Sequence, residues 1–317
     1  MGTRVKETQA RRLERVARQQ ARERAERRRR LMGVAIAAAI AVAASGAIVV
    51  AISGGGDSGG AGSNGAGGAD LSHIHGLGVN PTDGSLYIAT HTGLFRSLRG
   101  QATAARVGET EQDVMGFSVL GRDTFLGSGH PGPLQGGPSN LGLIRSDNAG
   151  GAWKSVSLMG EADFHVLRSK DNMIYGFNAS SGTFMVTSDG GRGWDERETP
   201  GAMVDLAIDP EDPAHVVAST EEGLVDSTDA GRTWENLVEG KVALLTWPAR
   251  DRLYSVDGNG DVQLSRDSGR RWRARGSIGG QPAAFASGGT DLYAALTDAS
   301  VKRSADGGAT WRNRVAP

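Results

Sequence analysis

Five copies of one octapeptide recur along the chain at a nearly constant spacing. They read SDNAGGAW, TSDGGRGW, STDAGRTW, SRDSGRRW and SADGGATW, and they end at Trp153, Trp194, Trp234, Trp272 and Trp311. Successive tryptophans are 41, 40, 38 and 39 residues apart. A fixed period of this length indicates a repeat architecture, in which each unit buries its apolar face against its neighbours.

Each repeat also contains short runs of strand-forming residues. In the fourth repeat these are residues 203–208, 215–220 and 223–227, and residues 233–237 follow the octapeptide as a fourth strand. One tyrosine position recurs in the second strand and indicates packing between sheets; it holds Tyr87, Tyr175, Tyr254 and Tyr293. Residues 71–107 follow the same pattern without the octapeptide. Six units of four strands predict an all-β fold, a six-bladed β-propeller over residues 70–317.

The first 69 residues have a different composition. Residues 1–30 hold twelve Lys/Arg and four Glu, and residues 31–52 hold no charge. An uncharged helix of this length spans about 33 Å, enough for a bilayer core. We therefore predict a basic cytoplasmic tail (1–30), an N-terminal transmembrane signal anchor (31–52) and a Gly/Ser-rich linker (53–69).

This organisation predicts a single-pass protein of the cell membrane. The N-terminus is then cytoplasmic and the propeller extracellular or periplasmic. A cleavable signal peptide is the alternative, with Ser45-Gly46-Ala47 as its small-residue cleavage site. Residues 31–317 hold 23 Lys/Arg and 32 Asp/Glu, an acidic balance that argues against nucleic acid as a partner. The chain has no Cys, which excludes disulfides, thiolate metal sites and a Cys nucleophile.

The candidate site residues cluster in the first three repeats. Five of the six histidines lie there. These histidines, together with Asp113 and Asp163, fall at the start of a first strand or the end of a second strand, and Glu161 lies in the same region. Strands of a blade alternate in direction, so these positions share one face of the propeller, opposite the octapeptide turns. We predict metal ligands at His73, His75, His91, His130 and His165, and catalytic carboxylates at Asp113, Glu161 and Asp163.

Repeats four to six are mostly apolar at the corresponding positions, which we assign to Val204, Asp205, Val242, Ala243, Ala283 and Ala284. Packing alone would treat the blades alike, so this asymmetry indicates a site at one mouth of the channel. Imidazole and carboxylate ligands suit Zn, Cu or Mn. The alternation of a strand puts His73 and His75 on one side. The inserted segment 131–140 is predicted to emerge at the same mouth.

The octapeptide resembles the Asp box, or BNR repeat, of bacterial sialidases, sortilin-type receptors and photosystem assembly factors. This resemblance implies a structural role for the boxes: the Asp accepts backbone N–H bonds, the Gly takes a positive φ and the Trp packs between blades. It also implies a sialidase-like active site at the channel mouth. However, the first-blade arginine motif of a standard sialidase is absent, and all four tyrosines occupy the structural repeat position.

Three functions follow as alternatives. The first is a glycosyl hydrolase-like propeller that binds a ligand, glycan or protein partner at the channel mouth. The second is a glycoside hydrolase that uses the carboxylates there. The third is a metal-binding or metal-dependent protein that uses the histidines. The repeat pattern alone does not decide whether the chain is an enzyme, because one fold serves many functions.

Overall fold

The structure, a computed structural model, describes residues 71, 73–109 and 111–316, so the predicted tail, membrane anchor and linker lie outside the described residues. The described part forms 24 strands in six four-stranded antiparallel sheets. The first strand of each sheet contacts the first strand of the next, and the last sheet contacts the first. The prediction of an all-β six-bladed propeller is confirmed. Within this part of the chain, no helix is long and apolar enough to cross a membrane.

The blades follow the chain in order, and the strands of each are numbered from the channel outward. Blades 1 and 2 contain β1 (Ile74–Val79), β2 (Leu86–Thr90), β3 (Gly93–Ser97), β4 (Ala105–Arg106), β5 (Asp113–Gly121), β6 (Thr124–His130), β7 (Leu143–Ser146) and β8 (Lys154–Ser157). Blades 3 and 4 contain β9 (Phe164–Lys170), β10 (Met173–Asn178), β11 (Thr183–Thr187), β12 (Asp195–Arg197), β13 (Met203–Ile208), β14 (Val216–Thr220), β15 (Gly223–Ser227) and β16 (Glu235–Glu239). Blades 5 and 6 contain β17 (Ala243–Ala249), β18 (Arg252–Asp257), β19 (Asp261–Ser265), β20 (Arg273–Ser277), β21 (Pro282–Gly288), β22 (Asp291–Leu296), β23 (Val301–Ser304) and β24 (Arg312–Val315).

The core lies between blades rather than at the centre of the ring. Second strands such as β14 (VVAST) are buried at every residue, whereas the outermost β20 (RARGS) is almost wholly exposed. Six apolar clusters form among the described residues, one at each boundary between neighbouring blades. The four repeat tyrosines are buried within these clusters, as the sequence predicts. Blade-to-blade packing therefore holds each innermost strand, and with it the channel mouth, in place.

The octapeptides form the turns between third and fourth strands. In blade 4, Asp229 Oδ1 accepts hydrogen bonds from the backbone N–H groups of Arg232 and Thr233, both at 2.9 Å. The Thr233 hydroxyl donates to Asp229 Oδ2 at 2.6 Å. The hydrogen bonds from the Thr233 hydroxyl and backbone lower the pKa of Asp229 to about 2. Gly231 has φ +76°, a region that favours glycine, and Trp234 donates from Nε1 to the Glu198 carbonyl of blade 3.

The ring closes by side-chain contacts between the last blade and the first. Each described blade consists of four consecutive strands, so no strand is shared across this boundary. The Arg314 guanidinium donates to the carbonyls of Leu98, at 2.7 Å, and Gln101, and to Ser97 Oγ at 2.8 Å. Leu71 is buried in the apolar cluster formed by blades 1 and 6. Packing and these hydrogen bonds complete the ring.

Candidate metal centre

Six of the eight predicted site residues meet at one end of the channel. We call this end the upper face and define it as the side where first strands begin and second strands end. Asp113 begins β5 and Asp163 directly precedes β9, whereas His130 ends β6 and His91 directly follows β2. His75 and His165 are the second residues of β1 and β9. The sequence therefore predicted the face correctly.

A β-bulge directs two of the histidines. The pairing of first and second strands shifts at His75 in blade 1 and at His165 in blade 3, and Val204 and Ala283 occupy the same bulge position in blades 4 and 6. A bulge breaks the alternation of a strand and redirects a side chain. All four bulge residues line a central cavity of about 510 Å³. The two imidazoles thus stand where other blades present apolar side chains.

The first set consists of His75, His91 and Asp113. His91 Nδ1 lies 2.8 Å from Asp113 Oδ2, and His75 Nε2 lies 3.4 Å from Asp113 Oδ1. Blade 1 supplies both histidines, and blade 2 supplies the carboxylate. One ligand atom from each of the three residues lies within 4.8 Å of the other two, close enough for one metal ion to contact all three.

The second set consists of His130, Asp163 and His165. His165 Nε2 lies 2.9 Å from Asp163 Oδ2, and His130 Nε2 lies 3.6 Å from the same oxygen. One ligand atom from each residue again lies within 4.8 Å of the others. His91 and His130 lie where the second strands of successive blades end, and Asp113 and Asp163 lie where the first strands of the following blades begin. Two of the three ligands in each set are therefore related by the repeat. The third comes from the blade of His91 in the first set and from the blade of Asp163 in the second.

The inserted segment 131–140 orients one of these ligands. His130 Nδ1 lies 2.9 Å from the carbonyl oxygen of Ser139, which places the Nδ1 proton in that hydrogen bond. Nε2 then carries the lone pair and faces Asp163. Histidines that bind metals usually donate their other ring N–H to a carbonyl or carboxylate in this way. The segment emerges at the upper face, as predicted, and supplies a ligand-positioning group.

Several buried ligand atoms lack a hydrogen-bond partner. Among the described residues these include His75 Nε2, Asp113 Oδ1 and Asp163 Oδ1. Only 8% of the Asp163 side chain is exposed. Burial raises the pKa of Asp163, but the hydrogen bond with His165 and the electrostatic effect of the nearby imidazoles of His165, His130 and His75 lower this pKa by more, so the net shift is downward. An ionised, buried carboxylate with an unpartnered oxygen is suited to a cation.

Two histidines and one carboxylate form a donor set with chemical meaning. Catalytic zinc sites use three protein ligands of this kind, and so do non-haem iron sites, because three ligands leave coordination positions open. Structural zinc sites fill all four positions. Each set therefore suits an ion that also binds an external molecule.

The remaining predicted residues lie outside both sets. His73 precedes β1, has φ 54° and is exposed, although its ring centroid is 6.1 Å from that of His91. The bulge at His75 removes the alternation that would have put His73 and His75 on one side of a strand. Glu161 is exposed in the loop before β9. Neither side chain contributes to the two groups of converging ligand atoms.

One sequence assignment is corrected by strand pairing. The bulges align Asp163 and His165 with Ala202 and Val204, not with Val204 and Asp205. Asp205 lies below the mouth, fully buried, and binds Arg168. In blade 6 the equivalents are Gln281 and Ala283. In blade 5 the pairing has no bulge at this point, so Val242 precedes the strand and Leu244 pairs regularly with Val256. The conclusion that these blades are mostly apolar at the mouth is unchanged.

Sequence reasoning did not separate the histidines into two sets. The signal was present, because His91 and His130 share one repeat position and Asp113 and Asp163 share another. The Ser139 carbonyl had no such signal, since any residue type provides a carbonyl oxygen. A ligand that a backbone carbonyl orients can be predicted only when the conformation of the loop is known.

The sixth histidine, His215, belongs to a different arrangement. Its Nε2 lies 2.8 Å from Asp226 Oδ1 and its Nδ1 lies 3.2 Å from Asp209 Oδ2. Each ring nitrogen contacts a different carboxylate. The imidazole therefore bridges two acidic side chains, and the three residues do not converge on one point as the ligands of a metal ion would. The hydrogen bond with Asp226 is the largest cause that raises the pKa of His215, and the two carboxylates together outweigh the opposing effect of burial.

We expect this bridge to make stability depend on pH. A raised folded pKa contributes stability that is complete below the unfolded value of about 6.5 and is lost as pH rises through the folded value. His215→Gln should lower the free energy of unfolding by about 1.5–3 kcal/mol at pH 5.5 and by less at pH 9. Urea unfolding of both proteins at the two pH values measures this. An equal loss at both would contradict the charged bridge.

The sequence matches no family model and no curated protein. Solved structures with a similar fold include a GH74 enzyme from Niastella koreensis, with TM-score 0.59 and 13% identity over 76% of this chain and 45% of that one. The GH74 xyloglucanase of Xanthomonas campestris has TM-score 0.50 and 17% identity over 76% of this chain and 45% of that one. A nidogen/laminin complex has TM-score 0.54 and 14% identity over 69% and 88%.

These similarities are informative about fold. The chain spans less than half the length of the two GH74 proteins, and every identity is below 20%. The six sheets define the described part of the chain as a six-bladed β-propeller, and a similar fold occurs in the two GH74 enzymes and in a chain of the nidogen/laminin complex. The fold alone does not carry an activity from any of them to this chain.

Proposed function

We propose that the protein is a metal-binding β-propeller that holds divalent transition-metal ions at its upper face and presents their open coordination positions to a ligand. The observation that carries the proposal is the pair of sets, each with two histidines and one buried carboxylate within contact of a single ion. Nitrogen and oxygen donors of this type suit zinc, copper or manganese. Zinc is the ion we choose for the tests.

The rest of the chain suits a receptor-like role at a surface. We propose that the octapeptides are Asp boxes, since their Asp, Gly and Trp make the contacts that such boxes require. We also propose that residues 31–52 anchor the propeller outside the cytoplasm, where its upper face meets a glycan or protein ligand. The uncharged stretch and the preceding basic tail support this placement.

The direct test is metal content. The full chain, purified in detergent without a polyhistidine tag, is dialysed against zinc and analysed by mass spectrometry. We expect two equivalents. His91→Ala and His165→Ala should each lose one equivalent, with zinc affinity at that set reduced by more than about 100-fold, because losing only a group that orients a ligand costs about 10–100-fold.

His73 supplies the matched control. It lies beside His91 but outside the converging ligand atoms, so His73→Gln should keep both equivalents. Loss of zinc from His73→Gln alone would assign the ligand role to His73 instead of His75. Absence of zinc, copper and manganese from the unmodified chain would overturn the proposal.

A glycoside hydrolase is less well supported as the primary function. A general acid in such an enzyme needs a raised pKa, whereas the pKa of Asp163 is lowered. Asp113 also faces two histidines, and Glu161 lies apart from both sets. The shared fold with GH74 enzymes supports testing xyloglucan and related polysaccharides as ligands, with hydrolysis measured in the same samples.

A further inference from the structure

We infer that the two sets act as one dinuclear site that binds a phosphate group across two metal ions. This inference rests on the proposed function and adds a ligand class to it. The first argument is that each set has one of its ligands on the second blade. Asp113 of the first set and His130 of the second are directly opposite each other across β5 and β6. Opposite residues in an antiparallel pair have Cα atoms about 4.5–5.5 Å apart.

The sets are also connected through His75. This side chain belongs to the first set, yet it faces the same cavity as His165 of the second set. Ions in the two sets would therefore be neighbours around one opening rather than isolated sites on separate blades.

The charge of the loaded site specifies the ligand. Two divalent ions bring four positive charges, and the ligands in the two sets bring two negative charges, from Asp113 and Asp163. Neutral imidazoles add none, so two positive charges remain. A phosphate group carries about −1.5 to −2 at neutral pH and offers three oxygens. It matches the excess charge and has enough oxygens to contact both ions.

The coordination number leads to the same ligand. Each set has three protein ligands, and zinc takes four in tetrahedral sites. Each ion thus has one position for an external oxygen, and a tetrahedral oxyanion can fill both at once. Paired metal ions about 3.5–4 Å apart hold phosphoryl oxygens in this way in phosphatases and nucleases. A single carboxylate, with one negative charge, would leave the site positive.

Arg168, a cation on the channel wall, is placed to assist phosphate binding. Arg168 lies three residues after His165 on β9, and about one-third of its side chain is exposed; it lines the same cavity. It donates to Asp205 and to the Leu167 carbonyl, which fix its position without covering it. A phosphate group bound between the ions would have this guanidinium as a fixed cation on the wall of the same cavity.

The test is calorimetric titration of inorganic phosphate into the full chain loaded with one and then two equivalents of zinc. We expect one phosphate per chain at two equivalents, and binding at least 10-fold weaker at one. His91→Ala and His130→Ala, each of which retains one complete set, should show the same weakening. Glu235→Gln, an exposed change on β16, should bind phosphate as the unmodified chain does.

The outcomes separate the two proposals. Failure to bind zinc overturns the proposed function before phosphate is added. Two bound zinc ions without phosphate binding, or equal phosphate affinity at one and two equivalents, leave the proposed function intact and overturn the dinuclear site. A parallel titration with glycerol 3-phosphate distinguishes the source of the group. Binding of both ligands indicates a phosphoester partner, and binding of inorganic phosphate alone indicates the free anion.

Discussion

Replacing Asp205 with alanine should lower the free energy of unfolding by about 3–5 kcal/mol, the usual cost of removing one partner of a buried ion pair. Asp205 Oδ1 accepts from the Arg168 guanidinium at 2.5 Å and from Leu206 N at 2.8 Å, and Oδ2 accepts from Leu245 N at 2.8 Å. Only 2% of the Asp205 side chain is exposed. One carboxylate thereby joins blades 3, 4 and 5 near the channel.

Urea unfolding followed by tryptophan fluorescence measures this loss. Asp205→Asn is the informative companion, because it keeps an oxygen for one backbone N–H but removes the charge that faces Arg168. We expect its cost to fall between those of the unmodified chain and Asp205→Ala. A loss below about 1 kcal/mol in Asp205→Ala would mean that water replaces the carboxylate, and would contradict its role as an inter-blade link.

Replacing Gly116 with alanine should lower the free energy of unfolding by about 3 kcal/mol, the upper end of the usual cost of inserting a methyl group into a packed core. The same substitution should release zinc from the second set. A Cβ atom at Gly116 would lie 2.3 Å from the Phe164 carbonyl oxygen and 2.9 Å from Leu167 Cβ. Neither atom is the end of a flexible side chain. β9 must therefore move away from β5, and Asp163 and His165 flank the residue that moves.

The same strand provides the control. A Cβ atom at Gly121 meets nothing within 4 Å, so Gly121→Ala should change stability by less than about 0.5 kcal/mol and keep both zinc ions. Thermal unfolding and zinc content are measured on both variants. Equal behaviour of Gly116→Ala and Gly121→Ala would show that β5 and β9 separate without cost.

The repeat made the fold predictable. Each octapeptide identifies a turn, and the tyrosine at one strand position identifies the packed face, so six blades and their directions follow from spacing. The upper face followed from the same reasoning, because His91 and Asp113 fall where second strands end and first strands begin. Periodic residues were predictable because packing imposes them on every blade.

The site itself was only partly predictable. The grouping into two sets depends on the bulges at His75 and His165, and a bulge has no strong residue signature in this chain: Val204 and Ala283 adopt it as well. Strict alternation gave His73 too large a role for this reason. The equivalent bulge at Val204 explains why the sequence alignment placed Asp205 at the channel mouth. Predicting a local departure from a regular strand requires knowledge of the contacts around it, and the spacing of residues in the sequence does not supply that knowledge.

The way the ring closes bears on how the two sets respond to force. A chain segment connects each blade to the next except at the boundary between blades 6 and 1, which packing and hydrogen bonds hold closed. Tension applied at Leu71 acts first on blade 1, which contributes His75 and His91. The second set draws only on blades 2 and 3 and lies beyond the reach of that first rupture. With the proposed ions bound, a mechanically loaded propeller would therefore lose the ion of the first set before that of the second, and metal occupancy would report the applied force.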